Sequence, residues 1–160
     1  YDQTLILITS DTSSFLPSEV STKNFEEFVQ LRSRVPLLMV GGAIQTSLVV
    51  EEYYSQIDLA PTIMHLLNLD WTSHWAGSSM LFSDATPTAF TNRPGAYWAV
   101  LSRQGRYYQE HGQKTHLFGF TNPTDAQSYQ RLGEAWLQTS RWLLQEDRYW
   151  PAASESDIDQ

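Results

Sequence analysis

An α/β core followed by a small antiparallel sheet with one long helix is the fold class the sequence predicts, and three observations carry it. Residues 4–9 (Thr-Leu-Ile-Leu-Ile-Thr) and 35–40 (Val-Pro-Leu-Leu-Met-Val) are continuous aliphatic runs. Such runs suit central strands buried on both faces, as in a parallel sheet. Next, four short strand-like stretches at 88–92, 97–102, 106–110 and 115–120 are separated by Arg-Pro-Gly, Gln-Gly and His-Gly turns. That is the pattern of an antiparallel meander. Finally, Tyr129, Leu132, Trp136, Leu143 and Leu144 recur at helical spacing, with Ser140 filling the same stripe.

The elements follow in order. After the first strand comes a Ser/Thr-rich stretch over 9–14. Asn24 and Glu27 form a capping-box start for a short helix whose apolar side is Phe25, Phe28, Val29 and Leu31. Arg32 and Arg34 end that helix, where cations suit the dipole. The second strand closes on Gly41-Gly42. Ser55 or Asp58 caps the next helix, Pro61 falls in its first turn, and Asn68 is its stop. Ile63, Leu66 and Leu67 are its expected buried face. Residues 71–78 read as a loop, and Asn122-Pro123-Thr124-Asp125 opens the long helix. The acidic tail at 151–160 is expected to fray. Three parts result: an α/β part over 1–86, an antiparallel sheet with a helix over 87–150, and the tail over 151–160.

Composition narrows the function classes. The 160 residues are 41% hydrophobic, enough for one domain with a real core. Six Trp, eight Tyr and seven Phe place the chain outside the aromatic-poor composition of disordered proteins. A net charge of −8 argues against a nucleic-acid partner and against a polybasic membrane contact. With no cysteine, disulfide and thiolate chemistry are excluded. No apolar run approaches the roughly 20 residues that span a bilayer. Two strands buried on both faces require more sheet than these residues supply. The chain therefore reads as part of a longer polypeptide, or as one that a partner chain completes.

Four segments stand in a telling order: Thr9-Ser10-Asp11, Arg34-Val35-Pro36-Leu37-Leu38, residues 55–69 (Ser-Gln-Ile-Asp-Leu-Ala-Pro-Thr-Ile-Met-His-Leu-Leu-Asn-Leu), and Gly77-Ser78-Ser79-Met80-Leu81. In that order and at that spacing they resemble the C-terminal portion of sulfatases and phosphoglycerol transferases (lipoteichoic acid synthase-like) of the alkaline phosphatase superfamily. The resemblance implies an alkaline-phosphatase-like sandwich whose main sheet continues in N-terminal sequence. In that family a metal-activated nucleophile attacks a sulfate or phosphate ester. The resemblance makes Asp11 a ligand of a divalent cation (Mn, Mg or Ca), and carboxylate oxygen suits all three. The family places His or Asn after this Asp, whereas here Thr12 follows, and a neutral hydroxyl is a much poorer ligand.

Further implications come from the same source. The nucleophile and the other ligands belong to an N-terminal region that this sequence does not contain, so no catalytic residue is assigned here and the chain alone is not expected to catalyse the family reaction. Relatives of the lipoteichoic acid synthase kind have N-terminal membrane helices and an extracytoplasmic catalytic domain. A periplasmic or cell-surface location is thereby implied, with any membrane anchor outside these residues. A second reading takes Thr12 as the mark of a degenerate, non-catalytic relative that binds a lipid or a protein.

Other candidates have plainer readings. Asp58 reads as a helix cap, and Arg34 as a solvated or ion-paired side chain that can also face an anionic substrate. His65 is expected half-buried and hydrogen-bonded. His74 lies in the 71–75 Trp loop, which packs or touches a ligand or membrane surface. His111 is in a turn and His116 is on a strand just after Lys114. No two histidines have metal-ligand spacing on one helix face, so a zinc site of this chain alone is not expected.

Overall fold

Alternation along four short strands organises most of the structure. In the computed structural model, residues 4–11, 24–42, 44–70, 76–81, 86–112 and 114–148 are described. Strands β3 (Ala89–Arg93), β4 (Tyr97–Leu101), β5 (Arg106–Glu110) and β6 (Thr115–Phe118) pair antiparallel in chain order. One face presents Ala89, Tyr97, Ala99, Leu101, Tyr108 and Phe118, and helix α1 (Phe25–Ser33) lies on it. Val29 of α1 is fully buried there, and the Phe25 ring meets Tyr97 and Tyr108 edge-on. An Arg106–Glu26 ion pair ties α1 to β5. Burial pushes the Tyr108 phenol up to about 12, so the ring stays neutral in this core at ordinary pH.

The opposite face presents Phe90, Trp98, Val100 and Tyr107 to helix α3 (Pro123–Gln145). Asn122 caps α3, its Oδ1 accepting from the Thr124 N–H at 2.9 Å, and Pro123 occupies the first turn. The seam follows the stripe read in the sequence in part. Leu143 is buried and Trp136 stacks on Phe90, but Leu132 and Leu144 are 44% and 64% exposed, and Ala126 and Gly133 are buried as well. At Gly133 an added Cβ would lie 2.2 Å from the Trp98 ring. The indole fills the space a side chain would need, so the closest approach of helix to sheet uses the smallest residue.

The two aliphatic runs form strands β1 (Leu5–Thr9) and β2 (Leu37–Gly41), but they are not parallel central strands. They pair antiparallel as a separate two-stranded sheet, Leu5 opposite Gly41 and Thr9 opposite Leu37. The cause is the connection: the chain leaves β1 at Thr9, passes through α1, and returns to the end it left. An apolar run specifies burial and not direction, so the sequence could not show this. Nor are both faces buried. Ile6 (41%), Ile8 (57%) and Leu38 (54%) share one face, and all three are exposed.

A single 3₁₀ turn, Gln56–Asp58, leads into α2 (Leu59–Leu66). Asn68 stops the helix with φ at +51°, a left-handed conformation that Asn tolerates. Among the described residues no helix is long and apolar enough to cross a membrane. The tail at 151–160 lies outside them.

Candidate functional site

The first three of the four motif segments meet at one point. Thr9, the last residue of β1, donates its hydroxyl to the Pro36 carbonyl at 2.7 Å. One residue on, the Ser10 carbonyl accepts from Gln56 Nε2 at 2.7 Å. The exit of β1, the entry to β2 and the turn before α2 are thus joined by side chain-to-backbone bonds spanning 27 and 46 residues of sequence. Asp11 is exposed just past this junction. It lines a cleft of about 960 Å³ together with Arg34, Gln56, Tyr54, Arg93 and Trp136.

Asp11 is thus an exposed carboxylate of the cleft lining, just past the end of β1. Its fit to a divalent cation is partial. Mn²⁺, Mg²⁺ and Ca²⁺ take six or more oxygen donors, and Asp11 supplies one carboxylate. Among the described residues no three His, Cys, Asp or Glu side chains are grouped to hold a metal. Thr12 and His74 lie outside the described residues.

Segments 55–69 and 77–81 are held together by a buried polar joint. Asp58 is 6% exposed; its Oδ2 accepts from the Ser55 N–H at 2.8 Å and its Oδ1 from the Ser78 N–H at 2.9 Å. Thr62, 1% exposed, donates to the Asp58 carbonyl and accepts from the Met80 N–H at 2.9 Å. His65 Nδ1 lies 2.9 Å from the Ser79 hydroxyl, and the Leu81 N–H donates to that same oxygen. The Tyr54 hydroxyl donates to the Met80 carbonyl, and burial first, then Glu52 and Asp58, pushes its phenol up. Asp58 is thus more than a cap: it fastens a loop twenty residues away. The chemistry of the joint is structural, because every acceptor it uses already has its donor.

Three residues of this region gave little signal in the sequence. Ser55 reads as a helix cap, yet its Oγ accepts from the Phe90 N–H and donates to the Phe90 carbonyl, anchoring the turn to the free edge of β3. Thr62 is a buried polar residue inside the otherwise apolar α2, and Ser79 is a buried one in the loop that follows. Burial of a hydroxyl in such a stretch requires a partner, and that is the signal that could have found them.

The remaining candidates fall elsewhere. His116 pairs with Glu110, and its ring stacks on Phe25 with centroids 4.4 Å apart, so it belongs to the α1 contact and not to the cleft. Lys114 is exposed on the β5–β6 turn, and His111 is exposed with its N–H donated to the Ala96 carbonyl. Comparison of the chain with known protein families, with curated proteins and with solved structures returns no match.

Proposed function

We propose that this chain is the C-terminal portion of a sulfatase-like metal-dependent hydrolase or phosphoglycerol transferase, with an alkaline-phosphatase-like core that other sequence completes. The observation that carries the reading is the meeting of separated motifs. Thr9-Ser10-Asp11, Arg34-Val35-Pro36 and residues 55–69 resemble family segments far apart in sequence, and they come together beside one cleft. The exposed aliphatic face of β1 and β2 supports the same reading, since a face of Ile6, Ile8 and Leu38 gains stability when further sheet or helix covers it.

In this proposal Asp11 holds one position on a divalent cation and the nucleophile comes from the N-terminal half. A bound cation stabilises charge on the transferred sulfate or phosphate. The chain's own part is to fix Asp11: the Thr9 and Gln56 bonds hold the strand end, and the Asp58 joint stiffens the element behind it. The whole protein would work outside the cytoplasm, anchored through sequence beyond these residues.

The test is Mn²⁺ titration of the longest native form of the protein against its Asp11→Ala variant. We expect affinity to fall at least tenfold on removal of one carboxylate ligand. Equal affinity would remove Asp11 from the metal site. The exposed β1–β2 face favours a second reading, a non-catalytic relative that binds a lipid or protein there; it is the one left standing if neither form binds Mn²⁺.

A further inference from the structure

The two edges of the four-stranded sheet are finished differently. The β3 edge is closed. Phe90 turns its N–H and C=O outward, and the Ser55 hydroxyl bonds both, in the place a further strand would take. Arg93 ends the strand and Pro94 follows it, a charge and a proline of the kind that keep edges from pairing. The β6 edge is open. The Glu110 N–H donates to the Lys114 carbonyl at 2.8 Å, which sets the alternation along β6. His116 and Phe118 therefore bond inward to β5, while Thr115 and Leu117 point their N–H and C=O groups away from the sheet. Among the described residues nothing bonds those outward groups.

Nothing in the sequence of β6 defends this edge. From Thr115 to Phe120 there is no Lys, Arg, Asp, Glu or Pro. The imidazole of His116 is engaged by Glu110 on the neighbouring strand. Thr115 and Leu117 are exposed, and Leu117 is half open to solvent at 50%. An open, uncharged edge that carries an aliphatic side chain is a template for another strand.

We propose that β6 pairs antiparallel with β6 of a second copy of this chain, about a two-fold axis at Leu117. The outward groups of the two Leu117 residues then exchange both hydrogen bonds, and their side chains cover each other. Thr115 comes opposite Gly119 of the second copy, and Lys114 opposite its Phe120, so no like charges face. Centring the pair on Thr115 instead would set Lys114 opposite His116, cation against imidazole, and leave Leu117 without its mate. A net charge of −8 opposes association, but the facing strands carry no carboxylate. Self-pairing uses the open edge of each sheet, and Ser55 plugs the other, so the assembly closes at two copies. The contact is remote from the Asp11 cleft and does not depend on the proposed function.

The experiment is amide hydrogen exchange by NMR on the whole chain at rising protein concentration, with sedimentation to give the mass. The mass is expected to climb from 18.3 kDa towards twice that value and no further. The Thr115 and Leu117 amides should exchange at least about tenfold more slowly in the concentrated sample, because the added strand supplies their acceptors. The His116 and Phe118 amides, already bonded within the chain, should not change. Leu117→Lys sets like charges opposite each other and should weaken association at least about tenfold. Thr115→Pro removes an outward N–H at the first residue of the strand, where proline is tolerated, and should weaken it with the β5 ladder intact. Ile8→Lys, on the exposed face of β1, should leave association within about twofold. Association lost in Ile8→Lys and kept in Leu117→Lys would overturn the pairing and place the contact on the β1–β2 face. A mass of 18.3 kDa at every concentration, or growth past two copies, would also overturn it.

Discussion

Replacing Asp58 with Ala is expected to cost about 2–4 kcal/mol of folding stability, because it removes the acceptor of two backbone donors at once. The Ser55 N–H is buried, so losing its acceptor exposes the desolvation cost of that group. Ser78 is exposed, and water can replace part of what its N–H loses. Asp58→Asn keeps one carbonyl oxygen and should lose about half as much. Urea unfolding of the three proteins measures the series. A loss below about 0.5 kcal/mol for Asp58→Ala would show that the joint does not hold the loop.

Gly77→Ala should be at least as damaging, at about 3 kcal/mol or more. The added Cβ would lie 2.1 Å from the Ile57 carbonyl oxygen, 2.5 Å from its carbon and 2.9 Å from the Asp58 nitrogen. These are backbone atoms of the turn before α2, and no rotamer change moves them. The loop must back away, which also stretches the Asp58–Ser78 bond. Loss of hydrogen-exchange protection at Ser78 and Met80 is therefore expected with the loss of stability. Both changes break the same contact, so the double variant should lose less than the sum of the two. Protection unchanged at those amides would mean that the loop is held by something other than this close approach.

Where local chemistry decides, the sequence was legible. The turns of the meander gave all four strands with their ends within two residues, and Asn24 and Asn122 marked their helix starts. Asn24 Oδ1 accepts from the Glu27 N–H at 2.8 Å, as a capping box requires. Where partners lie far apart in sequence, reading stopped. The direction of β2 depends on how the chain returns to Thr9, and its residues are silent on that. Helical spacing marks Trp136 and Leu143 of the α3 seam, but not Gly133, whose contact depends on Trp98 reaching across from the sheet. Asp11 is legible as a carboxylate at the end of an apolar strand as well as by resemblance. That Gln56 would bind the Ser10 carbonyl next to it, and that Arg34 and Arg93 would share its cleft, are facts of tertiary placement that no local pattern encodes.

In the proposed function these residues are the back part of a longer enzyme. In that proposal further protein would cover the exposed Ile6, Ile8 and Leu38 face and add ligands beside Asp11. The most direct measurement is the intact mass of the protein as its native cell makes it, with sequencing of its N-terminal peptides. A mass well above 18.3 kDa, with a Ser, Thr or modified Cys nucleophile and further metal ligands upstream of Tyr1, is the predicted result. A mass near 18.3 kDa would contradict the catalytic reading and leave a partner chain to cover the strands.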